Sequence, residues 1–125
     1  ILNIGYNDLL YKLSLKEKID SSTLNEIIRE ISNDYNELIK EIRKYYKRNI
    51  ITIGYYCSNK NDYYLNKGIR KLNETLSQTN EIEFIDTYYL LSDRTKYFPN
   101  PNINYPNRLG YQQISEKIIR KILEK

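Results

Sequence analysis

Two short blocks carry the residues whose types and spacing could do chemistry in this 125-residue chain. The first is Gly5-Tyr6-Asn7-Asp8, which follows the mostly apolar run Ile1-Leu2-Asn3-Ile4. A β-branched run stopped by a Gly reads as a buried strand that delivers Asn7 and Asp8 at its carboxyl end. In open α/β sheets, ligands bind in the crevice outside those ends. Asp8 can accept backbone N–H groups in the turn, and Asn7 has both amide donors and an acceptor. The plainer role for Asn7 is that of a turn-forming residue after a strand. The second block is Pro99-Asn100-Pro101-Asn102-Ile103-Asn104-Tyr105-Pro106-Asn107-Arg108-Leu109-Gly110-Tyr111. Two prolines two residues apart disfavour helix and central strand alike, so its first half is irregular.

The inventory excludes as much as it offers. There is no His, so no Ser-His-Asp or Cys-His arrangement can be assembled and no imidazole can hold a metal. One Cys, Cys57, rules out a multi-Cys zinc site and an internal disulfide. Cys57 follows an expected strand and lies near any cleft there, but nothing in the sequence activates its thiol, and it reads as a small packing residue. No cofactor-binding motif is present. Lys44-Tyr45-Tyr46-Lys47-Arg48 interleaves cations with rings and could bind single-stranded nucleic acid. The simpler account is that these cations complement a helix C-terminus while one Tyr packs inward.

The elements that must position both blocks follow from periodicity. After a polar connector over 11–22, Thr23 and Glu26 have capping-box spacing. Leu24, Ile27, Ile28, Ile31, Tyr35, Leu38, Ile39 and Ile42 then form a helical stripe that runs to about Tyr46. Asn49 to Tyr56 is a short β-branched strand, buried on both faces, with Cys57 to Asp62 as its exit loop. Leu65, Ile69, Leu72 and Leu76 mark a second helix, and residues 81–86 form a last strand nearer the sheet edge. A short helical turn over 87–91 follows. Tyr111, Ile114, Ile118, Ile119 and Ile122 make the inner face of a terminal helix. Strand, helix, strand, helix, strand, loop, helix is the order of half a doubly wound α/β sheet, with parallel strands.

Composition sets the outer bounds. Charged residues at 29% and hydrophobic ones at 40% are ordinary for a folded domain. A net charge of +4 is basic enough to raise nucleic acid or anionic surfaces as partners but far from a polybasic tail, and nucleic acid is not the favoured partner. No apolar run approaches the ~20 residues that span a bilayer. The chain has no Met and opens on a strand-like Ile, which points to a piece cut from a longer one. Nothing in it marks a compartment.

Both blocks resemble those of the SGNH (GDSL-type) esterases and acylhydrolases. Gly5-Tyr6-Asn7-Asp8 looks like the family's Gly-x-Asn-Asp block, whose Asn donates to the oxyanion. The second block is similar to the family's last one, where an Asp-x-x-His pair precedes Pro-Asn, Gly-Tyr and a helix. Pro106-Asn107 and Gly110-Tyr111 are kept, but Tyr105 stands at the His position and Asn102 at the Asp position. The resemblance implies a three-layer, flavodoxin-like sheet, here partial, with about three strands and flanking helices. It makes residues 1–125 a single partial domain, the C-terminal portion of the family fold. The Gly-Asp-Ser nucleophile block is absent, and the missing N-terminal part of the same domain is the implied partner. It further implies Asn7 as oxyanion donor, Gly5 and Asp8 at the substrate, and at most a small acyl-ester-like ligand. A phenol with a pKa of about 10 is neutral at pH 7 and a poor base. The reading is therefore a lipase/esterase fragment inactive as it stands. A non-catalytic ligand-binding relative is the alternative, and a basic nucleic-acid-binding module the second.

Overall fold

The structure, a computed structural model, describes residues 1–3, 5–57, 62–79, 82–100, 102, 103 and 105–124. Among the described residues, five helices and two strands follow in the order α1 (Tyr6–Ser14), α2 (Ser21–Tyr45), β1 (Ile50–Ile53), α3 (Tyr63–Ser77), β2 (Ile82–Ile85), α4 (Arg94–Tyr97) and α5 (Arg108–Leu123). β1 and β2 pair in parallel, with Ile50 opposite Ile82 and Ile53 opposite Ile85. The expected strand over 1–5 contracts to one parallel bridge between Leu2 and Thr52. Its two bonds are Leu2 N to Ile51 O, 2.7 Å, and Ile53 N to Leu2 O, 2.8 Å. Ile4 of that strand, the 58–61 stretch of the exit loop, and Glu81 of the last strand lie outside the described residues. The result is a mixed α/β chain in which β1 runs between the Leu2 segment and β2.

Alternation along the strands sends Ile50, Thr52, Ile82 and Phe84 to one face. There α1, α2 and α3 supply the main core, through Leu9, Leu24, Ile28, Ile31, Ile69 and Leu72 among others. Its centre includes a polar pair, since Thr52 is fully buried and its hydroxyl bonds the Tyr35 hydroxyl. A buried hydroxyl left unpaired costs about 1–3 kcal/mol, so the two satisfy each other. The long apolar stripe of α2 appears as expected, with Leu38 left at the surface.

Three local expectations need correction. The stretch over 11–22 is not all connector, because α1 starts directly after Gly5 and runs to Ser14. Tyr6, Leu9 and Leu13 are spaced to place one face against α2 and α3, and Leu9 is fully buried. Asp20 rather than Thr23 caps α2, accepting from Thr23 N at 2.8 Å. That bond holds the exposed Asp20 carboxyl below its ordinary pKa. The inner face of α5 is also narrower than the sequence implies. Tyr111, Ile119 and Ile122 are exposed, Ile114 and Ile118 half-buried, and only Gly110 is buried. α5 rests on β2 and α4, and a two-stranded ladder is too narrow to cover the whole stripe.

Buried and half-buried tyrosines set an upper pH limit on this fold. Burial pushes the phenols of Tyr35, Tyr55 and Tyr56 above the ordinary value, for Tyr35 partly offset by its bond to Thr52. Tyr88 is pushed up to about 12 by burial and by Cys57 beside it. In the unfolded chain these groups ionise near pH ~10. The stability contributed by keeping them neutral is therefore complete below that pH and drains as pH climbs through the folded-state values. Cooperative loss of helical circular dichroism above about pH 10, with the last tyrosinate absorbance appearing together with unfolding, is the expected result. A helical signal unchanged after all tyrosines have titrated would contradict it.

Candidate functional site

Gly5 turns the chain from the Leu2 segment into α1 at a φ of 110°, a left-handed conformation that suits glycine. It is buried, and a Cβ there would stand 3.2 Å from Leu72 Cδ2 and 3.6 Å from Ile31 Cγ2. The turn sends Tyr6 across to the exit of β1, where its ring stacks on Tyr55 at 4.9 Å. Asn7 and Asp8 then sit exposed on the first turn of α1. Gly5 and Asp8 share the wall of a cavity of ≈ 240 Å³ with Ile31, Asp34, Tyr35, Leu38 and Leu76. Asn7 is not part of that wall.

The carboxyl end of β1 is held by side chains from distant parts of the sequence. Asn73 of α3 accepts from Tyr55 N at 2.9 Å and donates to Tyr55 O at 2.8 Å. Thr87 donates to Gly54 O at 2.6 Å. Gly54 leaves no room for a side chain, since a Cβ would lie 2.6 Å from Phe84 Cζ. The Cys57 thiol receives the Arg94 guanidinium at 3.0 Å and faces Asn66 Oδ1 at 3.5 Å. A cationic neighbour for Cys57 was invisible in the sequence. Asn73, Thr87, Asn66 and Arg94 were missed altogether.

In the second block the kept residues hold the backbone. Pro106 is fully buried beneath Gly110, where a Cβ would come within 2.5 Å of the proline Cβ. Asn107 caps α5 by accepting from Gly110 N at 3.0 Å. Its amide also donates to Lys96 O at 2.8 Å, and its own N–H reaches Tyr97 O at 2.8 Å. Phe98 ties this loop to the exit of β1 through the Tyr56 ring, 6.0 Å away. Tyr105 is 62% exposed. Asn102 is exposed too, its N–H bonded to Asn100 Oδ1 at 3.0 Å in an Asx turn. Pro101 and Asn104 lie outside the described residues. Among the described residues, Asn7, Asn102 and Tyr105 make no side-chain hydrogen bond to one another. The geometry thus brings Gly5 and Asp8 to one cavity, and does not join Asn7, Asn102 and Tyr105 into a relay.

The cations that end α2 mostly serve the helix. Arg43 donates to Tyr46 O at 3.4 Å and to Arg48 O, Lys47 donates to Arg43 O, and Lys44 pairs with Glu41 at 2.7 Å. Neither tyrosine packs inward: Tyr45 is 88% and Tyr46 45% exposed. Among the described residues, no group of three His, Cys, Asp or Glu side chains could hold a metal, and no helix is long and apolar enough to cross a membrane. No protein-family model matches the chain, and no curated protein matches it.

Proposed function

We propose that this chain is the C-terminal portion of an SGNH-like acylhydrolase domain and does not itself transfer acyl groups. One observation carries the reading: three parallel segments stand side by side in chain order, the Leu2 segment, β1 and β2. A Gly-x-Asn-Asp turn leaves the first of them. A Pro-Asn cap with a close-packed Gly, as the family's last block would supply, leads into the final helix. The frame assigned by this reading is a three-layer, partly complete doubly wound sheet, with the rest of the same domain as its natural partner. In the parent domain Asn7 would donate to an oxyanion, an interaction worth about 3 kcal/mol in a working site. This chain has no His to act as its base. A fluorophosphonate, which phosphonylates an activated serine with loss of fluoride, tests the reading on the isolated chain. No covalent adduct is expected by intact-mass spectrometry. A stoichiometric adduct on any Ser would defeat it.

The second reading is a binding relative that keeps a cleft without chemistry. The cavity beside Gly5 and Asp8 favours it. The nucleic-acid reading gains little, because Arg43 and Lys47 are engaged by backbone carbonyls.

A further inference from the structure

We propose that the cavity enclosed by α1, α2 and α3 binds a small organic cation, an alkylammonium whose chain enters and whose charge stays at the mouth. The inference is independent of the family reading. Ile31, Tyr35, Leu38 and Leu76 give the cavity apolar walls, and its volume is ≈ 240 Å³. That is below the ~300–1,000 Å³ of drug-sized sites, so the ligand is small. The remaining wall carries two exposed carboxylates, Asp8 from α1 and Asp34 from α2. Among the described residues neither has a hydrogen bond or an ion pair.

Lys12 lies within electrostatic reach of both carboxylates, but its hydrogen bond goes elsewhere. Lys12 is committed to Glu30 at 2.9 Å, a contact that raises the lysine pKa and lowers that of the glutamate. The charged side chains on the cavity wall itself, Asp8 and Asp34, are both acidic, while Lys12, Lys16 and Arg29 act on Glu30. An apolar pocket whose wall carries two carboxylates and no cation complements a cation on an apolar tail, and opposes an anion of the same shape. The Tyr35 hydroxyl is already bound to Thr52 inside the core, so its ring is held as a fixed wall.

The test is a methyl-detected NMR titration of the chain with n-hexylammonium, n-hexanol and hexanoate. Saturating shifts are expected at Leu38 and Leu76, with the ammonium binding roughly fivefold tighter than the alcohol, as two exposed ion pairs allow. Hexanoate should bind weakest, and the preference for ammonium should shrink with added salt. The D8N/D34N variant should keep the fold, since these exposed carboxylates hold no hydrogen bond among the described residues, and should bind ammonium and alcohol alike. Leu38→Trp, at a surface position, fills the cavity and should remove binding of both. Equal affinities for ammonium and alcohol in the unmodified chain would overturn the proposal. Shifts confined to other methyls, or shifts that follow protein concentration rather than amine, would do the same.

Discussion

In a longer protein carrying a Gly-Asp-Ser block ahead of Ile1, changing Tyr105→His and Asn102→Asp together should raise ester turnover by about 10²–10⁴-fold, the usual yield of a well-placed general base. Phenols donate hydrogen bonds but are poor bases for a nucleophile's proton near pH 7. An amide at residue 102 cannot stabilise the imidazolium that a base becomes. The fold should tolerate both changes. Tyr105 and Asn102 are exposed, and the Asx turn at Asn102 uses its backbone N–H, which aspartate retains. Substitutions at such surface sites usually stay within about 0.5 kcal/mol. His alone, without its carboxylate, should recover only part of the gain. If the double variant hydrolyses esters no faster than its parent, the second block has been aligned to the wrong residues.

Leu72→Ala should cost about 2–5 kcal/mol, a large share of the ~5–15 kcal/mol that holds a domain together. Leu72 is fully buried on α3, and its Cδ2 lies 3.2 Å from the space a Gly5 side chain would need. Truncation opens a cavity beneath the turn that launches α1, so loss of stability and loosening of the Asn7–Asp8 turn go together. Leu123→Ala, at a position 77% exposed, is the matched control and should be nearly neutral. Urea denaturation compares the two directly. Equal midpoints would mean that the packing of α3 against α1 and α2 is not the core of the fold.

What the sequence made legible was whatever local periodicity encodes. The α2 stripe shows because burial on one face repeats every three to four residues over a long helix. β1 shows because Ile50-Ile51-Thr52-Ile53 is β-branched throughout. α1 was obscured because its spacing, Tyr6, Leu9, Leu13, covers scarcely more than two turns and directly follows a strand-like run. At the start of α2, Asp20 and Thr23 are both competent caps, and only the backbone geometry decides between them. The ties at the end of β1 had no local signature at all. Asn73 reaches Tyr55 across 18 residues, Thr87 reaches Gly54 across 33, and Arg94 reaches Cys57 across 37. Of the candidate site, the turn at Gly5 and the Pro106-Asn107 and Gly110 cap could be anticipated as motifs. The cavity wall shared by Asp8 and Asp34 could not, because it depends on how α1 crosses α2.

The most direct test of the account is hydrolysis of p-nitrophenyl acetate and butyrate by the purified chain at neutral pH. The chain has no His, Tyr105 is exposed at the surface, and Cys57 lies between Arg94 and Asn66. The predicted result is a rate no higher than that of a matched inert protein, unchanged by Cys57→Ser or Tyr105→Phe. Robust turnover that either substitution abolishes would contradict the account and assign this chain a chemistry of its own.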